Sequence, residues 1–99
     1  MPINLPEAHL ATARRILRFW APDVPAFVFG SRAHGRQLRE TSDLDICLRG
    51  DEPLPTTLLR QVKDAFELSD LPMRVDIVDW NELGAEFRKA IEADLTPLV

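Results

Sequence analysis

Three aspartates carry the strongest chemical signal in this chain. Asp43 and Asp45 stand two positions apart in SDLDICL, and Asp76 lies in RVDIVD. Successive residues of a strand point to opposite faces, so Asp43 and Asp45 share one face while Leu44, Ile46 and Leu48 share the other. The same alternation separates Asp76 from Val75 and Ile77. If the two strands pair, three carboxylates meet on one sheet face. Crowded carboxylates repel one another unless a cation lies among them, and Mg²⁺ takes hard oxygen ligands of this kind together with substrate phosphates. The chemistry that suits such a cluster is two-metal phosphoryl transfer, with cations about 4 Å apart on the attacking and leaving oxygens. An isolated Asp-x-Asp is more often a turn beside a solvated acid; the third carboxylate shifts the balance.

A second feature lies upstream, where PAFVFG ends in Gly30-Ser31. Glycine lets a backbone come close to a phosphate, a helical turn just after it offers unpaired N–H groups, and Ser31 adds a hydroxyl. The turn would run through Arg32, Ala33 and His34 and end at Gly35. Arg32 and His34 stand near such phosphates in sequence, whereas Arg36 and Arg39 suit a solvated loop. Asp79 has the opposite parity to Asp76 and suits a helix cap. Cys47 shares parity with Asp43 and Asp45 but reads as a small buried thiol.

The elements that must position these groups follow from periodicity. Leu10, Ala13, Ile16, Leu17 and Trp20 recur at helical spacing after Asn4 and Pro6, and Pro22 closes the segment. Arg14, Arg15 and Arg18 fall between them as a solvated face. Residues 25–30 and 43–49 read as strands, and Leu58, Val62 and Phe66 mark a helix opened near Thr56 or Thr57. RVDIVD is a third strand, and Leu83, Phe87, Ile91 and Leu95 line a final helix. The alternation predicts one α/β (α+β) domain over residues 1–99, a small mixed sheet with helices packed on one face.

Composition narrows the classes. With 45% hydrophobic and 28% charged residues the chain is an ordinary globular protein, not a disordered acidic tail. Sixteen acidic against twelve basic residues give a net charge of −4, which argues against direct nucleic acid binding through a basic face. The single cysteine makes no internal disulfide, and no apolar run nears the roughly 20 residues of a membrane span. A cytoplasmic setting is expected.

With Gly30, Ser31, Asp43, Asp45 and Asp76 in this order, the chain resembles the DNA polymerase β-like nucleotidyltransferase superfamily. Within it, the chain is similar to the minimal nucleotidyltransferases (MNT) of prokaryotes. The likeness covers nearly the whole length: an opening helix, GSRAHG, SDLDICL, and RVDIVDW followed by a helix. It implies a nucleotidyltransferase fold and in-line attack of a hydroxyl on the α-phosphate of ATP, with release of pyrophosphate. Gly30 and Ser31, with Arg32 beside them, would hold the nucleotide phosphates. Asp43 and Asp45 would ligate two Mg²⁺ ions, and Asp76 would complete the site of the metal that activates the acceptor hydroxyl. Eleven residues separate Ser31 from Asp43, one more than in many family members, with the addition falling within Arg36–Thr41.

Many MNT proteins are paired as antitoxins with a helical HEPN-domain toxin, and in several such pairs the MNT protein silences the toxin by placing AMP on a tyrosine. The resemblance thus implies protein adenylylation and a hetero-oligomer. This chain has no tyrosine, so a tyrosine acceptor must belong to a partner. The rival reading is a non-catalytic antitoxin that neutralises its partner by complex formation. Transfer to a small molecule is disfavoured by the short chain. Trp20, Trp80 and the tail Leu95–Val99 are candidate interface positions, with packing onto the chain's own core as the alternative.

Overall fold

The computed structural model describes residues 3–99. In chain order it contains α1 (Glu7–Trp20), β1 (Ala26–Phe29), α2 (Ser31–His34), β2 (Leu44–Leu48), α3 (Thr56–Glu67), β3 (Val75–Asp79), a 3₁₀ turn (Trp80–Glu82), α4 (Ala85–Glu92) and β4 (Thr96–Pro97). The four strands form one mixed sheet in the order β3-β2-β1-β4. β2 runs antiparallel to β1 and parallel to β3, which places Asp45 directly across from Asp76.

Period-two alternation explains the main core. Leu44, Ile46 and Leu48 of β2 are fully buried beside Ala26 and Val28 of β1. They meet Leu10, Ala13 and Leu17 of α1 and Val62 and Phe66 of α3. Each large aliphatic side chain so buried contributes roughly 1.5–3 kcal/mol. α1 and α3 therefore lie on one sheet face, as the pattern of apolar residues predicts.

α4 departs from that arrangement and packs on the opposite face. Its Ile91, flanked by Leu83 and Leu95, joins Phe29, Cys47, Val78 and Trp80 in a second, smaller cluster. The one-face description holds for α1 and α3; the last helix covers part of the face that carries the acids. Phe87, expected on the apolar stripe, is half exposed and touches Phe29 edge-on, with ring centroids 6.1 Å apart.

The tail is part of the sheet. Thr96 and Pro97 pair with Val28 and Phe27. The Leu98 amide donates to the Ala26 carbonyl at 2.8 Å, and Leu98 itself is buried. Arg14, expected on a solvated face, donates through Nε to the Leu98 carbonyl at 2.9 Å. The segment is thereby anchored to the edge of β1. Trp80 is likewise internal, with the Arg49 and Arg88 guanidiniums over its ring at 4.1 and 5.3 Å from the centroid. Trp20 is exposed and stacks edge-on against Phe19.

Candidate active site

Gly30 closes β1 with φ +74° and ψ −156°, a backbone region open essentially only to glycine. A Cβ there would lie 2.5 Å from Asp45 Oδ2, so the missing side chain also makes room for that carboxylate. The Gly30 carbonyl accepts from the Ala33 and His34 amides at 2.9 and 3.0 Å, which winds α2. Ser31 is the first residue of that turn, and Gly35 ends it in the left-handed conformation. The Gly30-Ser31 turn thus abuts an acid fourteen residues further along the chain because Phe29 and Asp45 are partners in the β1–β2 ladder.

Asp45 and Asp76 share a face of adjacent parallel strands. Asp43 stands one residue before β2, exposed, on the same parity. Partial burial pushes the Asp45 carboxyl up to about 6, with further upward pressure from the Asp76 and Asp43 charges. The two neighbouring acids therefore act electrostatically on Asp45. Among the described residues, no group of three His, Cys, Asp or Glu side chains closes into a ready-made metal cage. Asp76 is engaged elsewhere: Arg74 Nε donates to its Oδ1 at 3.2 Å, in a pair that is largely exposed. The donor set nonetheless fits a hard divalent cation, being all carboxylate, mutually repelling and sterically cleared at Gly30.

Arg32 takes a different place from the expected phosphate contact. It is only 5% exposed. Nη1 donates to the Asn4 carbonyl at 3.0 Å, and Nη2 donates to the carbonyls of Glu40 and Ser42 at 3.2 and 3.0 Å. With those N–H groups directed at main-chain oxygens, the guanidinium acts as a strut between the Gly30-Ser31 turn and the residue before Asp43. Asn4 completes the tie: its amide and Nδ2 donate to the Arg32 carbonyl at 2.7 and 3.1 Å. The His34 Nδ1 accepts from the Arg36 amide at 2.9 Å, and the loop after Gly35 turns through Gln37 at φ +56°.

Arg74 is the neighbour of the acids that sequence reasoning missed; its i, i+2 spacing to Asp76 on one strand face was the available signal. Asp79 caps, but not α4. It accepts from the Asn81 amide at the start of the 3₁₀ turn and from the Leu54 amide, at 3.1 and 2.8 Å. Cys47 is fully buried, and burial pushes its thiol up to about 11, opposed by Arg49 and aided by Asp79.

Two open spaces flank the acids. Asp43 lines a cavity of about 580 Å³ together with His9, Arg32, Glu40 and Arg74. Asp76 lines a cleft of about 610 Å³ between α3 and β3.

Comparisons with known proteins bear on the family and the fold. The chain is 37% identical over 89 residues to the probable protein adenylyltransferase MntA of Haemophilus influenzae, covering 90% of this chain and 77% of that protein. It superposes on a crystal structure of a toxin–antitoxin with AMP-PNP with a TM-score of 0.73 and 23% identity, over 91% of this chain and 72% of the other. A mutant of a MntA–HpeT toxin–antitoxin pair gives a TM-score of 0.70 at 20% identity, over 91% and 71% of the two chains. These two solved structures share the fold described above. Residues 10–99 match the nucleotidyltransferase domain family, and the chain belongs to it.

Proposed function

We propose that this nucleotidyltransferase, acting as one minimal domain over residues 1–99, transfers AMP from ATP to a hydroxyl of a partner HEPN-domain toxin and so serves as its antitoxin. Tyrosine is the proposed acceptor, the complex is a hetero-oligomer, and the setting is the cytoplasm. The observation that carries the reading is that Asp45, paired in register with Asp76, lies against Gly30, which has no side chain to obstruct its carboxylate. The 37% identity to a probable protein adenylyltransferase supports a protein acceptor. In the mutant MntA–HpeT structure, two aspartates two positions apart are changed to glutamate, the spacing of Asp43 and Asp45 here.

In this reading Gly30 and Ser31 hold the nucleotide phosphates with backbone N–H groups and the Ser31 hydroxyl. Arg32 fixes the distance between that turn and Asp43 rather than touching phosphate. Asp43, Asp45 and Asp76 would hold two Mg²⁺ ions, which supply charge neutralisation at the phosphates and a lowered pKa at the acceptor hydroxyl. The acceptor oxygen forms a bond to the α-phosphorus of ATP as the bond to pyrophosphate breaks. The protein's contribution is positioning and preorganised electrostatics.

The test is transfer of label from α-labelled ATP to the co-encoded toxin. Asp43→Asn and Asp45→Asn should each lower transfer by about a hundredfold or more. Undiminished labelling in both variants would falsify the metal site. The Arg74–Asp76 pair favours one alternative, a binding module that neutralises by covering its toxin. That alternative predicts that the doubly substituted chain still binds the toxin and still protects cells.

A further inference from the structure

The sheet treats its two edges differently. At one end, β4 is two residues long and contains a proline, a combination that discourages further strand pairing. At the other end, β3 runs five residues, Val75–Asp79, without proline and, among the described residues, without a strand on its outer side. The Leu44 amide donates to the Arg74 carbonyl at 2.9 Å, so Arg74 and its even-numbered successors turn their main chain toward β2. The amides and carbonyls of Val75 and Ile77 then face outward. They open into the cleft whose far wall is Lys63, Phe66 and Glu67 of α3.

This bare edge is the one beside the acids. Moving across the sheet from Asp45, β1 and the Gly30-Ser31 turn lie on one side, and Asp76 and then open space lie on the other. The turn side is taken by phosphates in the reading proposed above, which leaves the β3 side for the acceptor. A strand added to β3 would place its residue opposite Asp76 on the same face as Asp76 and Asp45, because paired residues share a face. Its neighbours would project toward the opposite face and the α3 side of the cleft.

We infer that β3 is the docking edge for the acceptor: an extended polypeptide segment pairs with the outward main chain of Val75 and Ile77 and presents its hydroxyl-bearing side chain opposite Asp76. The inference rests on the protein-acceptor reading and adds to it the mode of recognition, main-chain pairing by strand addition.

Hydrogen exchange tests this directly, using the full chain with Mg²⁺, a non-hydrolysable ATP analogue and the toxin that accepts label in the transfer assay. The Val75 and Ile77 amides should slow by about tenfold or more when the toxin is added, while Asp76 and Val78, already bonded to β2, keep their rates. In parallel, Val75→Pro removes one outward donor and no ladder bond to β2. It should raise KM for the toxin about tenfold and leave ATP affinity and kcat within about twofold. Unchanged exchange at Val75 and Ile77 overturns the inference even if Val75→Pro proves too unstable to assay. Protection of those amides without toxin, in a species of doubled mass, assigns the edge to a second copy of this chain and also overturns it. In each of these outcomes the unsubstituted chain still labels the toxin, so the adenylyltransferase reading stands; only its failure to label any toxin removes both.

Discussion

Gly30 and Asp45 occupy neighbouring strands so closely that a methyl group on the first would overlap a carboxylate oxygen of the second, at 2.5 Å. The contact links the turn proposed to hold phosphates to the central acid of the cluster. A side chain at Gly30 would have to move Asp45.

Gly30→Ala therefore combines two costs. The positive φ with extended ψ strains any L side chain by about 1–3 kcal/mol, and the new Cβ must push Asp45 aside. The expected outcome is a lower melting temperature together with a loss of transfer of about a hundredfold, since displacing a catalytic group by about 1 Å has effects of that size. Thermal unfolding and label transfer measure the two separately. Full activity in a folded Gly30→Ala protein would show that the turn and the acid are not coupled.

The raised pKa of Asp45 sets a pH dependence whose sign is fixed. Its carboxyl titrates near 6 in the folded chain against an ordinary 3.8, so the folded state retains a proton that the unfolded chain has already released in between. Stability from this group is fully present below about pH 4 and is lost as pH rises through about 6. A divalent cation offsets the loss by neutralising the ionised carboxylate. Magnesium should raise the melting temperature of the nucleotide-free chain clearly at about pH 7.5 and only weakly at about pH 5, where a proton occupies Asp45. Melts in chelator and in excess MgCl₂ at the two pH values give the comparison, and equal shifts at both would count against cation binding at this acid.

Arg32 is expected to act on folding before it acts on nucleotide. Arg32→Ala removes the buried guanidinium that donates to the partly buried carbonyls of Asn4, Glu40 and Ser42. The cost should be about 3 kcal/mol or more, equivalent to roughly 10–20 °C in a domain of this size. A direct phosphate ligand would instead give an unchanged melting temperature and weakened ATP binding. Calorimetry of the free chain and ATP titration distinguish the two roles.

Much of this arrangement was legible because strands have a period of two. Leu44, Ile46 and Leu48 had to face away from Asp43 and Asp45, and one register between β2 and β3 sufficed to bring Asp76 alongside. The Gly-Ser turn was legible as a turn, though not its contact with Asp45, which arises from the Phe29–Asp45 pairing across antiparallel strands. What escaped was decided by neighbours distant in sequence. Thr96 and Pro97 carry no strand periodicity and pair only because β1 has a free edge. Arg32 follows a candidate phosphate turn, yet the carbonyls of residues 4, 40 and 42 surround its guanidinium and hold it. α4 has the expected apolar spacing, but spacing does not say which side of a sheet a helix will cover.

Cys47 sits in β2 two residues beyond Asp45, sealed from solvent and protonated well past neutrality. As the only thiol in the chain it offers a native reporter. A maleimide or iodoacetamide reagent can reach it only when the sheet parts, so its labelling half-life clocks breathing of the strand that carries the central acid. Ligands that clamp this strand should slow the clock without any engineered probe.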